Sequence, residues 1–161
     1  LEHRTALWIS SQLKNTTLTL PSPTDEKEIS FYIEGIKTSI KPKVQGDQVS
    51  FKVDSSAKAY IEASLSRIDL KDPQVLRELE KLLSKDVEEQ FIHVLDKTRK
   101  ARSDAFLMSQ YLDWSHPKIW HSMQDQWKNY YAKELPIEVD VKIKLNRTGG
   151  VFRSVVHETN R

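Results

Sequence analysis

Five histidines, 23 carboxylates and one dense basic run are the residues of this chain with chemistry to offer. The histidines are His3, His93, His116, His121 and His157. None falls in an H-E-x-x-H pattern. His116 and His121 stand five apart, which does not align them on one helix face for a shared metal. They read as exposed or helix-capping side chains. Cysteine is absent, which excludes disulfides, thiolate zinc sites, iron–sulfur clusters and cysteine nucleophiles. The four glycines do not make a dinucleotide fingerprint or a phosphate loop, which need several at fixed positions. Asn146-Arg147-Thr148-Gly149-Gly150 follows a strand pattern but lacks the Lys-Ser/Thr pair and a following helix, so it reads as a turn. No G-x-S-x-G elbow accompanies the many serines. Glu78, Glu80, Glu88 and Glu89 lie opposite an apolar helix face and read as solvated charges. No pair of carboxylates is singled out, and a catalytic site needs convergent polar groups. The expectation is a chain without catalytic residues, metal or cofactor.

The basic run has two readings. Lys97, Arg99, Lys100 and Arg102 complement the dipole at the end of a long helix. Alternatively they meet acidic lipid headgroups or an acidic partner, at roughly 1 kcal/mol per basic residue near an anionic membrane. Trp120 and Trp127, seven apart, read as core, since each buries a large surface. Trp114, in the loop before them, is either a core plug or an exposed anchor for a partner.

The totals bound the class. The chain has 161 residues, 38% of them hydrophobic and 30% charged, with a mean hydropathy of −0.59. That describes a soluble globular domain with a core of its own. A net charge of +2 argues against a dedicated nucleic-acid binder, which would carry a clear basic excess. No apolar run approaches the ~20 residues that cross a bilayer. The chain opens Leu-Glu-His-Arg without an initiator Met, which leads us to expect a fragment or processed form.

The elements that must position these residues follow from periodicity. Ala6 to Ser10 reads as a short strand, Thr17 to Leu20 as an edge strand, and Pro21 to Asp25 as a loop. Ile29, Phe31 and Ile33 alternate with polar residues; Gly35 interrupts, and Ile36, Thr38 and Ile40 resume, which predicts a bulge. Gln45-Gly46-Asp47-Gln48 supplies a turn, and Val49, Phe51 and Val53 close a hairpin. Ala57, Ala59, Ile61, Ala63 and Leu65 continue with period two, as in a strand close beneath a helix. Asp72-Pro73 starts a helix with Leu76, Leu79, Leu83, Val87, Phe91, Val94 and Leu95 on one face, running to about Lys100, roughly 40 Å. A second helix starts near Ser115, with Ile119, Trp120, Met123, Trp127 and Tyr131 on one side. Pro136 stops it, and Ile137 to Leu145 alternates strictly as a last strand. The tail after Val156 reads as frayed. Strands, then helices, then a strand predict one α+β domain over 1–161: a curved, mostly antiparallel or mixed sheet with the long helix and the Trp-bearing helix packed on one face.

From Asp104 to Gly149 the ordered pattern Asp104, Phe106, Pro117, Trp120, Trp127, Tyr131, Val139, Val141, Ile143, Gly149 resembles a known family. It is similar to the C-terminal domain of the C subunit of bacterial spore germinant receptors, the Ger(x)C lipoproteins. Ile40-Lys41-Pro42-Lys43, Phe51-Lys52-Val53 and the helix from Asp72 agree in order. Leu107 and Ser109 stand where the family usually carries glycines, which leaves a tight turn or a helix there.

The resemblance implies a parent protein lipid-anchored on the outer face of the spore inner membrane. That parent would act with two integral-membrane subunits, A and B, in responding to nutrients. The family's lipid-modified Cys and signal peptide are absent from this stretch, so the chain is expected to be the C-terminal domain of a larger lipoprotein. Its implied work is non-catalytic: assembly, or transmission of the nutrient signal through protein surfaces, with Lys97, Arg99, Lys100, Arg102 and Trp114 as candidate partner or membrane contacts. The rivals are a domain that binds the germinant itself between helix and sheet, and a hydrolase with unrecognised carboxylates.

Overall fold

A long hairpin organises the molecule, and a glycine bulge keeps its apolar residues on one side. The computed structural model describes residues 1–146. Strand β2 (Glu28–Gln45) and strand β3 (Gln48–Ser64) pair antiparallel around a two-residue loop, Gly46-Asp47. Gly46 has φ +60° at the first loop position, where tight hairpin turns want a residue without a Cβ. Before the bulge the buried residues of β2 are the odd-numbered Ile29, Phe31 and Ile33; after it the phase changes and Ile40 is buried. The pairing shifts between Glu34 and Lys37, with Gly35 at φ +62°. Without that extra residue one half of β2 would point its apolar side chains into water.

Strand β1 (Asn15–Pro21) adds to β2 antiparallel, and strand β4 (Ile137–Asn146) adds to β3 in parallel. The order is β1-β2-β3-β4, so the sheet is mixed and unclosed, with β1 and β4 as its edges. A parallel neighbour requires a crossover, and the helices between β3 and β4 supply it. The fold is α+β, as the element order predicts.

Helix α1 (Glu2–Ile9) precedes the sheet, and helix α2 (Pro73–Lys100) begins the crossover. The Asp72 side chain caps α2, accepting from the Gln74 N–H at 2.8 Å, and all seven predicted apolar positions are buried. Helix α2 packs mainly against β4 and closes its open edge. Ser84 Oγ accepts from the Ile143 N–H at 3.0 Å, and Glu80 accepts from the Leu145 N–H at 2.9 Å. Two edge donors that would otherwise offer themselves to another strand are thereby satisfied. Glu80 is therefore an edge cap, not the purely solvated charge that periodicity predicts.

Three sequence expectations change. Ala6 to Ser10 lies mostly within α1, which buries Thr5, Trp8 and Ile9 on one helical face; a short apolar run fits either period. Trp8 is 2% exposed, donates its indole N–H to Ser55 Oγ at 2.9 Å, and meets the Phe91 ring edge-on. Ala57 and Ala59 are buried, whereas Ala63 and Leu65 are exposed, because β3 ends at Ser64 and α2 lies along β4. The single Trp helix expected from Ser115 is broken into helix α4 (Pro117–Met123), a 3-10 turn over Gln124–Gln126 and helix α5 (Trp127–Lys133), and a separate helix α3 (Met108–Ser115) precedes it. The break re-aims the two tryptophans. Trp127 is 6% exposed within the core, and Trp120 only packs against the core's margin, its ring edge-on to Trp127 at 5.6 Å. The predicted Gly149–Gly150 turn, the tail and His157 lie outside the described residues.

Candidate interaction site

Asp104 sets the geometry of the segment that presents Trp114. Helix α2 ends with Ala101 as its cap and Arg102 at φ +52°, while the N–H groups of Arg102 and Ser103 donate to the carbonyls of Arg99 and Thr98. That is the left-handed exit helices usually make with glycine. Two residues on, the Asp104 carboxylate accepts from the backbone N–H groups of Met108 and Ser109, both at 2.8 Å. It also accepts from the Trp127 indole N–H at 3.1 Å. One side chain thus caps α3 and pins α3 to α5.

Leu107 adopts φ +56° at the start of α3. Its left-handed turn and the helix that follows both exist, so the two options left open for this segment are realised together. A left-handed leucine is strained, since its Cβ crowds the following carbonyl. Met108 and Leu112 face the core at helical spacing. On another side Leu107, Tyr111 and Trp114 form a stripe 52%, 36% and 72% exposed. The rings of Tyr111 and Trp114 meet edge-on at 5.7 Å.

The basic candidates divide. Lys97 bonds Glu2, which His93 also approaches at 3.4 Å. The Lys97 bond is the main reason the Glu2 carboxyl lies below its usual range. Arg99 is half-buried and donates to the Leu135 carbonyl. Lys100 and Arg102 are exposed at the exit of α2, in the segment leading to α3. Lys97 and Arg99 therefore hold the fold's own seams, whereas Lys100, Arg102 and Trp114 face solvent. Sequence reading missed Asp104 as a cap, and it missed Leu107 and Tyr111 as companions of Trp114. The spacing of Leu107, Tyr111 and Trp114 on one helix side was the available signal.

Titratable clusters elsewhere are structural. His116 Nδ1 lies 2.9 Å from Ser115 Oγ and His121 Nδ1 lies 2.6 Å from the Pro117 carbonyl, each next to its own helix terminus. Among the described residues no three His, Asp or Glu side chains are grouped to hold a metal ion. Burial raises Asp86, which accepts from Gln90 at 2.6 Å, and burial raises the Tyr131 phenol, which lies 2.6 Å from Thr98 Oγ1. Tyr131 sits between the packed helices α2 and α5. Asp86 instead lines a cleft of about 320 Å³ between α1 and α2 with Glu2, Glu89 and His93, where it is bonded by Gln90 and Glu2 is bonded by Lys97.

Residues 1–149 match the family described as Spore germination B3/GerAC like, C-terminal. The chain belongs to this family. It is 27% identical over 153 residues to spore germination protein KC of Bacillus subtilis (strain 168), covering 95% of this chain and 38% of that protein. It is 24% identical over 160 residues to spore germination protein B3 of the same organism, covering 93% of this chain and 40% of the relative. The fold is that of the crystal structure of the GerBC protein, with a TM-score of 0.77 and 21% identity over 89% of this chain and 44% of that one. The chain thus spans about two fifths of the length of the curated relatives it matches. For this member of the family, Asp104 and Trp127 are held together by a direct hydrogen bond, which gives two widely spaced elements of the recognised pattern one physical cause. No helix among the described residues is long and apolar enough to cross a membrane.

Proposed function

We propose that this chain is the C-terminal interaction domain of a nutrient germinant receptor subunit and performs no catalysis. In this reading the parent protein is lipid-anchored on the outer face of the spore inner membrane. The α3 surface then meets one of the two integral-membrane subunits, A or B. The observation that carries the reading is Trp114: a tryptophan 72% exposed, backed by Tyr111 and Leu107, on a helix locked in place by Asp104. Aromatic residues on a rigid support are the usual anchors of protein interfaces. Lys100 and Arg102 flank the approach and would steer an acidic partner. Membership of a spore germination family supports the process.

The test is nutrient-triggered release of dipicolinic acid from spores of the source organism. An in-frame deletion of this domain is compared with Trp114→Ala and with Lys100→Glu/Arg102→Glu, while the level and membrane location of the parent protein are checked. Loss of the response to a nutrient class with the protein still present supports the reading. A normal response to every nutrient after deletion refutes it. If instead a nutrient itself raises the melting temperature of the isolated chain, direct germinant binding is favoured, because a ligand that binds only the folded state stabilises it.

A further inference from the structure

Between α2 and the sheet lies an open groove of about 910 Å³, well away in sequence from the α3 stripe. Its walls follow from the edge cap: Glu80 and Ser84 bond the edge of β4 and hold the helix alongside it. Six lysines line the groove, Lys37, Lys58, Lys81, Lys85, Lys142 and Lys144, all of them exposed. Glu34, Glu80 and Glu88 oppose them along the groove, and at its rim Lys85 pairs with Glu89 at 3.8 Å and Lys142 with Asp140 at 3.3 Å, so the positive excess rests chiefly on Lys37, Lys58 and Lys81. The chain as a whole is nearly neutral, so the excess is local. At the bulge, Gly35 has nothing within 4 Å of the position its Cβ would take, which leaves the backbone open to a ligand.

One arrangement here works against the fold. Lys58 and Lys144 are register partners on neighbouring strands, and like charges directly opposite destabilise a sheet. Lys41 and Lys52 are also partners, but Lys52 is neutralised by Asp54 at 3.0 Å and Glu138 at 4.0 Å. Lys144 has Glu80 at 3.8 Å, whereas Lys58 makes no ion pair among the described residues, although Glu34 is its partner on the other side. Lys37 and Lys81 likewise make none among the described residues. The Lys58–Lys144 conflict is only partly offset, by Glu80 and Glu34, and a local conflict left incompletely compensated is the kind that functional sites carry.

Resting on the interaction-domain reading, we propose that this groove takes an extended acidic segment of a partner polypeptide. The charge sign calls for carboxylates. The shape calls for a chain, because a flat bilayer meets only the rim of a groove between a helix and a sheet. Spacing agrees: alternate residues of an extended chain stand about 6.6 Å apart on one face, as Lys142 and Lys144 do on β4.

The experiment uses the 161-residue chain and a fluorescein-labelled peptide of alternating Glu and Ser, with phosphatidylglycerol vesicles as a second probe. Anisotropy is read at about 20 mM and about 300 mM salt, where screening separates surface ion pairs from apolar contacts. Saturable binding at low salt is expected. Lys58→Glu/Lys142→Glu should weaken it by at least about tenfold, while Lys14→Glu/Lys27→Glu, at exposed lysines outside the groove and the α3 site, leaves it within about twofold, since each close charge pair contributes modestly and several act together. Lys58→Gln/Lys142→Gln keeps the test readable if the reversed pair fails to fold, with an expected loss of about threefold. Absence of saturable binding, equal binding by all variants, or lysine-dependent binding to vesicles but not to peptide overturns the proposal. Spores separate this failure from that of the interaction-domain reading. A normal response after deletion of the whole domain refutes that reading. A response lost on deletion but normal with Lys58→Glu/Lys142→Glu in the parent protein overturns the groove alone.

Discussion

Replacing Asp104 by Ala tests the central structural claim about the α3 surface. The carboxylate accepts two backbone N–H groups at the start of α3 and the indole N–H of Trp127. Loss of a helix cap costs about 1 kcal/mol. Leaving the indole N–H unpaired in a partly buried site adds about 1–3 kcal/mol. The expected destabilisation is therefore about 2–4 kcal/mol. In urea this appears as a lower midpoint with an unchanged slope. For a chain of this size it also appears as a fall in Tm of roughly 3 °C per kcal/mol. Asp104→Asn, which keeps one acceptor oxygen, should lose about half as much. The decisive measurement is a double-mutant cycle with Trp127→Phe, which removes the indole N–H but keeps an aromatic ring. A coupling energy of at least about 0.5 kcal/mol is expected for groups in contact. Additivity within about 0.3 kcal/mol, or a loss below about 1 kcal/mol for Asp104→Ala, would refute the capping-and-pinning argument.

Three further outcomes follow from the geometry. Arg102→Gly should raise stability by about 0.5–1 kcal/mol, because glycine accepts the φ +52° of the α2 exit without steric cost; a lower Tm would mean the exit is not left-handed. Trp127→Ala should cost about 3–5 kcal/mol and Trp120→Ala about 1–2 kcal/mol, since only the first is buried; equal losses in urea titration would contradict the broken helix. The Arg67 backbone N–H, with help from Ser66, Lys27 and Ser22, lowers Asp25 to about 2. A depressed carboxylate contributes stability that is fully present above its unfolded pKa near 3.8 and is lost as pH falls toward about 2. Asp25→Asn should flatten Tm against pH across that window, and an unchanged acid slope would rule the contact out.

Local signals carried most of the fold. Alternation at Ile29, Phe31 and Ile33, the interruption at Gly35 and the turn at Gly46 each specify backbone conformation within a few residues, and the structure has a strand, a bulge and a hairpin loop there. Asp72-Pro73 and seven apolar positions at helical spacing specify α2 the same way. The α1 segment was misread because Ala6 to Ser10 is too short for its period to decide between helix and strand. The Trp helix was misread because Trp120, Met123 and Trp127 keep helical spacing across a 3-10 turn whose extra twist the spacing does not record.

What the amino-acid sequence determined alone is the class of element at each long periodic segment, the family resemblance between Asp104 and Gly149, and the lack of any motif with catalytic spacing. Those depend on contacts between near neighbours in the chain, which residue order encodes directly. The tertiary structure decided the rest. It sorted Lys97 and Arg99 into internal seams and left Lys100, Arg102 and Trp114 outside. It also brought Asp104 to Trp127, set Lys58 opposite Lys144, and laid α2 along the edge of β4. Each of those pairings joins residues more than twenty positions apart, and only strand order and helix docking, set by burial of the shared core, bring them within reach.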